Sequence, residues 1–190
     1  MIRVAVVGYG YWGPHLVRNI GEIEGAKVEI IVDRSDRRLA LAGRRHPGTR
    51  LLTDAREAIN SPAIDAVIIA TPVSTHYELA HRALVEGKHV LVEKPMTTSS
   101  DEAKALIDEA AKRRLILTVD HTFIYTGAVR KAREIIQAGK LGNIYYFDSV
   151  RVNLGLFQSD TNVLWDLSTH DLSILDYALG ATPVAVSCHG

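Results

Sequence analysis

A glycine-rich turn close to the amino terminus restricts the fold of this chain more than any other feature. Gly8-Tyr9-Gly10-Tyr11-Trp12-Gly13 follows a short β-branched run, and apolar residues at helical spacing come directly after it. Glycines at the first, third and sixth positions of such a turn allow a tight reversal and bring the following helix close to the strand. The sequence therefore predicts a strand, a turn and a helix that open a βαβ unit.

The first 120 residues alternate short apolar runs with longer segments of helical period. Uninterrupted apolar runs are typical of strands that are covered on both faces, so the alternation predicts a doubly wound parallel sheet of the α/β class. The predicted strands are Arg3–Val7, Val28–Val32, Arg50–Leu52, Ala66–Ala70, His89–Val92 and Ile116–Val119.

The alternation stops after residue 120. The sequence then predicts a helix over 128–138, an aromatic-rich strand over 144–152, a helix over 163–179 and a last strand over 183–189. We therefore predict a Rossmann-type nucleotide-binding domain over residues 1–120 and the start of an α+β open-sheet domain over residues 121–190. Because the last strand has no further strands to pair with, the chain is expected to be truncated.

Composition restricts the partners of the chain. The 22 Lys and Arg residues balance 22 Asp and Glu residues, so no net charge is available to attract nucleic acid or an anionic membrane surface. No apolar stretch reaches the length of a membrane-spanning helix, and Cys188 is the single cysteine. A cytoplasmic protein with a small-molecule partner is expected.

The position of Asp33 indicates which kind of ligand the glycine turn would bind. It closes the second predicted strand 20 residues after Gly13, where a carboxylate can accept hydrogen bonds from both hydroxyls of an adenosine ribose while the turn presents backbone N–H groups to a pyrophosphate. NAD is the expected cofactor, because a 2′-phosphate beside Asp33 would be repelled. Arg34, Arg37 and Arg38 stand close enough in the sequence to keep NADP as the alternative.

Two further groups of residues follow central predicted strands, at the edge where ligands bind in open α/β sheets. Thr71-Pro72 ends one strand and His76 opens the next helix, so these residues are candidates for the wall of a cofactor crevice; local strand termination and packing are the alternatives. Glu93-Lys94-Pro95 ends the next strand. There Lys94 could place its ammonium against a substrate oxygen, and Pro95 could follow a cis peptide bond; a surface lysine beside a turn proline is the alternative. Glu93 and Lys94 are also candidates for cofactor binding.

Aromatic and histidine side chains supply additional candidates. Tyr11 and Trp12 lie within the glycine turn and are assigned to cofactor contact, with Trp12 either covering the nicotinamide ring or only packing. His121 and Phe123 lie where the two predicted domains join, and they either line the substrate or nicotinamide site or pack at a hinge.

Asp166 and His170 are four residues apart and therefore share one face of a predicted helix. A carboxylate that orients an imidazole and raises its basicity suits a general base for an alcohol. A solvated pair and half of a metal site are the alternatives. No metal is predicted, because neither an HExxH motif nor a cysteine ligand accompanies the pair.

Together these motifs resemble the Gfo/Idh/MocA family of oxidoreductases, named after glucose-fructose oxidoreductase and inositol dehydrogenase. The resemblance spans the whole chain and rests on the glycine turn, Asp33, Thr71-Pro72, Glu93-Lys94-Pro95 and the segment from Asp166 to His170. It implies that Lys94 matches the lysine of the family's EKP motif and that Asp166 and His170 match its catalytic D-x-x-x-H. Residues 152–155 and 160–165 are most similar to members that oxidise sugars or sugar nucleotides.

The resemblance implies reversible hydride transfer between NAD and a ring hydroxyl of a sugar, sugar nucleotide or cyclitol. His170 is expected to take the hydroxyl proton, Asp166 to hold the imidazole and Lys94 to stabilise the oxygen, with the role of base open between Lys94 and His170. A homo-oligomer formed through the second-domain sheet is also implied. A regulator that senses NAD(P) or a sugar without turnover, and an NAD-assisted glycosidase, are the alternatives.

Overall fold

The structure is a computed structural model and describes residues 1–151, 162–187 and 189. The chain divides into two compact units, Met1–Asp120 and His121–Gly190. Among the described residues, no helix combines the length and the apolar character that crossing a membrane requires.

The first unit is a six-stranded parallel sheet with helices between the strands. Its strands are β1 (Ile2–Val7), β2 (Ala26–Val32), β3 (Arg50–Leu52), β4 (Ala66–Ile69), β5 (His89–Val92) and β6 (Leu117–Val119). Its α-helices are α1 (Gly13–Gly21), α2 (Asp36–Arg45), α3 (Ala55–Ile59), α4 (His76–Val85) and α5 (Ser100–Arg113). The strand order is β3-β2-β1-β4-β5-β6. All six predicted strands and the doubly wound parallel sheet are confirmed.

Both faces of the sheet are covered, which explains why its strands are apolar at nearly every position. Along β1, Ala5 and Val7 join one buried cluster, whereas Val4 and Val6 join a second cluster. The first cluster receives residues of α3, α4 and α5, and the second receives residues of α1 and α2. Successive side chains of a strand point to opposite faces, so a strand between two helical layers buries all of them.

The beginnings of two helices show how the local sequence sets their bounds. Ser99 Oγ accepts the backbone N–H of Glu102 at 3.3 Å at the start of α5, as predicted for a capping box, but the Glu102 carboxylate binds Thr98 rather than Ser99. The Asp54 carboxylate accepts the N–H of Arg56 at 2.9 Å and begins α3. The sequence analysis missed α3, because five residues are too few to show a helical period.

The second unit contains α6 (Gly127–Gln137) and α7 (Thr169–Leu179), with a π-helical turn at Leu164–Ser168 directly before α7. The predicted helices over 128–138 and 163–179 are confirmed. The predicted strands over 144–152 and 183–189 are wrong where the structure describes them, because residues 144–151 and 183–187 lie outside any strand. Aromatic and β-branched composition favours a strand, yet a strand also needs a neighbour for its backbone hydrogen bonds, and no described segment pairs with either stretch.

Arg114 offers a test of the backbone geometry that ends α5. It lies in the left-handed region at φ 58°, which glycine adopts without the steric cost borne by a side chain. We expect Arg114→Gly to raise the free energy of unfolding by up to about 1 kcal/mol, measured by urea denaturation. Lys112→Gly, inside the same helix, is the matched control and should lower it by about 1 kcal/mol. Equal losses in the two variants would contradict this account of the helix end.

Candidate functional site

The sheet reverses its strand order between β1 and β4, and this reversal creates the candidate site. The chain leaves β1 towards β2 on one side and later returns to place β4 on the other, so the loops that follow these strands separate at their carboxyl ends. Such a point is where open α/β sheets bind their ligands. The segments that follow the strands at this edge begin with Gly8, Asp33, Thr71-Pro72, Glu93-Lys94 and Asp120.

Two glycines of the turn after β1 are required by the packing of the protein itself. Gly8 has φ +99°, and a Cβ there would come 2.4 Å from the carbonyl oxygen of Ala70. A Cβ on Gly13 would come 2.0 Å from the carbonyl oxygen of Gly8. Both distances are far below van der Waals contact, so the turn can approach β4 and α1 only with glycine at these positions.

Gly10 differs from the other two because the protein leaves room beside it. The nearest atoms to a Cβ on Gly10 are Nη1 and Cζ of Arg38, at 3.7 and 3.9 Å. The helix α1 begins close by, and its N-cap residue Trp12 provides no side-chain hydrogen bond to the first turn. The first turn of α1 offers few N–H groups to a ligand, because Pro14 has none and that of His15 donates to the carbonyl of Trp12 at 2.9 Å. The open space at Gly10, beside the start of α1, forms a cradle that fits a pyrophosphate.

Asp33 fixes the glycine turn to the end of β2. Its side chain is 7% exposed; Oδ2 accepts the backbone N–H of Tyr9 at 2.8 Å, and Oδ1 accepts that of Ser35 at 2.8 Å. The guanidinium of Arg38 lies 3.6 Å from Oδ2. A carboxylate has about four acceptor positions, so Asp33 retains capacity for ligand hydroxyls after these contacts. Arg34 is exposed beside it.

Two exposed aromatic side chains stand over the turn. Tyr11 is 66% exposed and Trp12 is 50% exposed, and their rings meet edge to face with centroids 5.0 Å apart. Large aromatic side chains that remain exposed within this turn are available to cover a ligand. Their assignment to cofactor contact stays a prediction.

His76 joins two of the turns at this edge. It is 1% exposed, and its Nδ1 and Nε2 lie 2.9 Å from the carbonyl oxygen of Pro95 and 2.8 Å from that of Thr71. Its ring thus links the turn after β4 to the turn after β5. The predicted cis peptide bond between Lys94 and Pro95 is present. His76 therefore contributes to the site by holding its walls together, and direct cofactor contact by its ring stays a prediction.

Glu93 and Asp120 bring two carboxyl groups together at the ends of β5 and β6. Val92 and Val119 are register partners, so the residues that follow them are neighbours across the ladder, and the N–H of Asp120 donates to the carbonyl of Val92 at 2.9 Å. Burial is the main cause that raises the pKa of Glu93 to about 7. The charge of Asp120 and a hydrogen bond with its carboxyl raise this pKa further, whereas the backbone N–H and the charge of Lys94 lower it. Sequence reasoning missed Asp120, although its position directly after a strand was the available signal.

In the second unit, described by itself, His170 lies against Phe123. The two rings meet edge to face with their centroids 4.7 Å apart. The guanidinium of Arg151 also lies against Phe123, 5.1 Å from the centroid of its ring. Arg151 Nε binds Asp171 Oδ2 at 2.8 Å, and this hydrogen bond holds the pKa of the Asp171 carboxyl below its usual range. No sequence pattern predicted this ion pair, because its members are 20 residues apart.

Asp166 belongs to the π-helical turn that precedes α7, and His170 lies in the first turn of α7. The backbone N–H of Asp166 donates to the carbonyl of Asn162 at 2.9 Å. A π-helical turn is rare and occurs frequently at functional sites. In the described part of the chain, no group of three or more His, Cys, Asp or Glu residues could hold a metal ion.

A six-stranded parallel sheet in this order, with a glycine turn after its first strand and a carboxylate after its second, defines a Rossmann dinucleotide-binding domain. Residues 2–121 match the Gfo/Idh/MocA family, which is described as an oxidoreductase family with an NAD-binding Rossmann fold. The chain belongs to this family. The predicted family and fold class are thereby confirmed.

Similarity to individual proteins extends beyond the matched domain. The scyllo-inositol 2-dehydrogenase (NAD(+)) of Bacillus subtilis (strain 168) is 32% identical over 195 residues, covering 100% of this chain and 57% of the relative. The UDP-N-acetylglucosamine 3-dehydrogenase of Acidithiobacillus ferrooxidans is 39% identical over 128 residues, covering 67% of this chain and 40% of the relative. The chain thus spans about half the length of these curated relatives.

A solved structure shares the fold over nearly the whole chain. It is scyllo-inositol dehydrogenase from Lactobacillus casei with bound cofactor NAD(H) and scyllo-inositol, and it superposes with a TM-score of 0.81 at 22% identity, over 95% of this chain and 56% of the other. At that identity the likeness concerns the fold alone.

The contrast between Gly10 and the other glycines can be tested. We expect Gly10→Val to weaken NADH binding at least about tenfold with little change in the free energy of unfolding, because the added side chain fills the cradle and its Cβ comes no closer than 3.7 Å to the side chain of Arg38. Fluorescence titration and urea denaturation give the two quantities.

Gly21→Ala at the end of α1 is the control, since a Cβ there meets nothing within 4 Å. It should leave NADH affinity unchanged and should not lower the free energy of unfolding, because alanine favours a helix over glycine. Wild-type NADH affinity in Gly10→Val would contradict the assignment of the cradle.

Proposed function

We propose that the protein oxidises a secondary ring hydroxyl of a sugar, sugar nucleotide or cyclitol and passes the hydride to NAD. The observation that carries this proposal is the presence of a lysine, Lys94, at the same sheet edge as the open cradle at Gly10. The relatives named above give the substrate class its support, because scyllo-inositol and UDP-N-acetylglucosamine both carry secondary hydroxyls on six-membered rings.

The first unit is proposed to bind the cofactor. The N–H groups of the turn hold the pyrophosphate, the remaining acceptor positions of Asp33 take the adenosine ribose hydroxyls, and Tyr11, Trp12, Thr71 and Pro72 line the crevice. The bound NAD supplies the hydride acceptor, and the protein supplies orientation and proton handling. NAD is preferred to NADP because Asp33 repels a 2′-phosphate, although Arg38 lies 3.6 Å from its carboxylate.

The proton and the substrate oxygen are assigned to Lys94 and to residues of the second unit. Lys94 polarises the oxygen, His170 takes the hydroxyl proton, and Asp166 orients the imidazole. His121 and Phe123 are proposed to contact substrate, and the edge contact of Phe123 with His170 supports a shared role. Lys94 remains the alternative base.

The second unit is also proposed to make a homo-oligomer, in a protein that works in the cytoplasm. Its exposed apolar and aromatic side chains support an interface, since such side chains are normally covered. They include Tyr145, Tyr146, Val150, Val184 and Val186.

The cofactor preference can be checked by equilibrium binding. We expect the protein to bind NADH more tightly than NADPH, and Asp33→Asn to narrow the difference about tenfold, because the amide removes the charge but keeps an acceptor for a backbone N–H. Asp36→Asn, an exposed residue in the first turn of α2, should keep the wild-type ratio. Tighter binding of NADPH by the unaltered protein would show that the neighbouring arginines determine the preference.

The proposed chemistry can be checked by steady-state kinetics with a panel of sugars, nucleotide sugars and inositols, followed by NADH absorbance. His170→Asn and Lys94→Ala should each lose about a hundredfold to ten-thousandfold in kcat while keeping NADH affinity, and Asp166→Asn should lose less. Lys104→Ala, on the exposed face of α5, is the matched lysine control and should keep the wild-type kcat. Unchanged turnover in both His170→Asn and Lys94→Ala would overturn the mechanism.

A further inference from the structure

Two neighbouring carboxyl groups at a ligand-binding edge are difficult to explain by stability alone. Glu93 is 8% exposed, and burial of a carboxylate is costly unless the charge is compensated. A second carboxyl, that of Asp120, follows the register partner of Val92 on the neighbouring strand, and it adds to the rise in the pKa of Glu93. Two neighbouring carboxyls resist ionising together, which favours retention of one proton by the pair. The register of the sheet thus places a group suited to hold a proton at its ligand-binding edge.

The backbone fixes this pair firmly. The N–H of Glu93 donates to the carbonyl of Ile69 in β4, and the N–H of Asp120 donates to the carbonyl of Val92 in β5, both at 2.9 Å. Val92 and Val119 are in register, so the following residues project from the same face of the sheet. Lys94 also acts on Glu93, since its charge and its backbone N–H both favour the ionised carboxyl and oppose the rise in pKa. The position of the pair is thus set by three adjacent strands.

The place of the pair along the edge determines which half of a dinucleotide it would face. A Rossmann sheet consists of two mononucleotide-binding halves that meet at the reversal of strand order. Here the half with β1, β2 and β3 carries the glycine turn and Asp33, which read the pyrophosphate and the adenosine ribose. The half with β4, β5 and β6 is left for the nicotinamide nucleotide, and Glu93 and Asp120 end two of its strands.

The nicotinamide ring is the only part of the cofactor whose charge changes in the reaction, because it is a cation when oxidised and neutral when reduced. A cation close to a carboxyl pair favours loss of the shared proton, and removal of that charge favours its return. We propose that Glu93 and Asp120 form a proton-holding pair that releases its proton when oxidised cofactor binds and regains one when the ring is reduced. This inference rests on the proposed function.

The proton balance of the reaction is complete with this pair. Oxidation of a secondary alcohol removes a hydride from carbon and a proton from oxygen; the hydride and its electron pair go to the cofactor, and His170 takes the proton in the proposed mechanism. The pair meanwhile takes up one proton from the surrounding water, so proton release to bulk solvent is deferred until oxidised cofactor replaces the reduced form. Glu93 and Asp120 are accordingly positioning and charge-balancing residues, since neither is assigned contact with substrate.

The proposed role of the pair can be tested by measuring cofactor binding, without any catalytic turnover. The protonated pair must lose its proton before NAD+ binds. The affinity for NAD+ should therefore rise with pH through the range near 7, whereas the affinity for NADH should not. We expect the ratio of the dissociation constants of NAD+ and NADH to fall about tenfold between pH 5.5 and 7.5 and to level off above about pH 8. Titration of intrinsic fluorescence with each dinucleotide measures both constants.

Variants separate the pair from other ionisable groups. Glu93→Gln removes the buried carboxyl, so the ratio should become flat between pH 6 and 8. Asp120→Asn leaves Glu93 buried but without its acidic neighbour, so the pH at which the ratio changes should move below that of the unaltered protein. Glu78→Gln removes an exposed carboxylate of α4 and should keep the wild-type profile. If the Glu93 and Asp120 variants fail to fold, the unaltered protein can be tested by calorimetry at pH 6.5 in two buffers of different ionisation enthalpy. This measures the number of protons released on binding. We expect release when NAD+ binds and almost none when NADH binds.

The outcomes are distinguishable. A constant ratio in the unaltered protein, equal proton release with both dinucleotides, or a wild-type profile in both Asp120→Asn and Glu93→Gln would overturn the role of the pair and leave the proposed function intact. Absence of NAD(H) binding at every pH would overturn the proposed function together with this inference.

Discussion

The pairing of β1 with both β2 and β4 is the constraint on which the rest of the structure depends. A strand that has parallel neighbours on both sides can donate and accept no further ladder bonds, so the chain that leaves it must turn away from the sheet. The turn has little space, because the carbonyl of Ala70, just beyond β4, lies where a Cβ on Gly8 would stand. The residues that clear β4 are bound to the end of β2, because the N–H of Gly8 donates to the carbonyl of Val32 and the N–H of Tyr9 donates to Asp33. The space at Gly10 opens directly after these two bonds.

The same pairing explains why the sheet was predictable from sequence. Strands buried on both faces must be apolar at successive positions, and β1, β2, β4 and β5 show this directly. The second unit gives a different result. Residues 144–151 have the composition of a strand but no partner among the described segments, and composition carries no information about whether a partner is present. Residues 152–155, which suggested a sugar-oxidising relative, lie outside the described residues.

The candidate site was predictable only in part, for a related reason. Asp33, Glu93 and Lys94 could be found because each follows a strand whose end is visible in the sequence. The partnership of Glu93 with Asp120 could not be found, because it depends on the register of β5 and β6 and joins residues 27 positions apart in the sequence. The burial of His76 and the pairing of Arg151 with Asp171 likewise arise from tertiary contacts that no periodicity reveals.

The buried polar side chains of the described residues are concentrated at one edge of one sheet. They are Asp33, His76, Glu93 and Thr97, and all lie in or directly after the segments that follow β2, β4 and β5. Burial of polar groups is costly, so a fold selected for stability alone would not gather them there.

The two acidic members of this set show how their surroundings separate their roles. Asp33 accepts two backbone N–H groups at 2.8 Å, a setting that compensates a fixed negative charge. Glu93 instead faces a second carboxyl, and its burial and that neighbour raise its pKa to about 7, where a proton can be gained or lost under ordinary conditions. One edge thus carries, after β2, a carboxylate bound by backbone N–H groups and, after β5, a carboxyl whose pKa is raised. That asymmetry matches a ligand with one end whose charge is constant and one end whose charge changes on reduction.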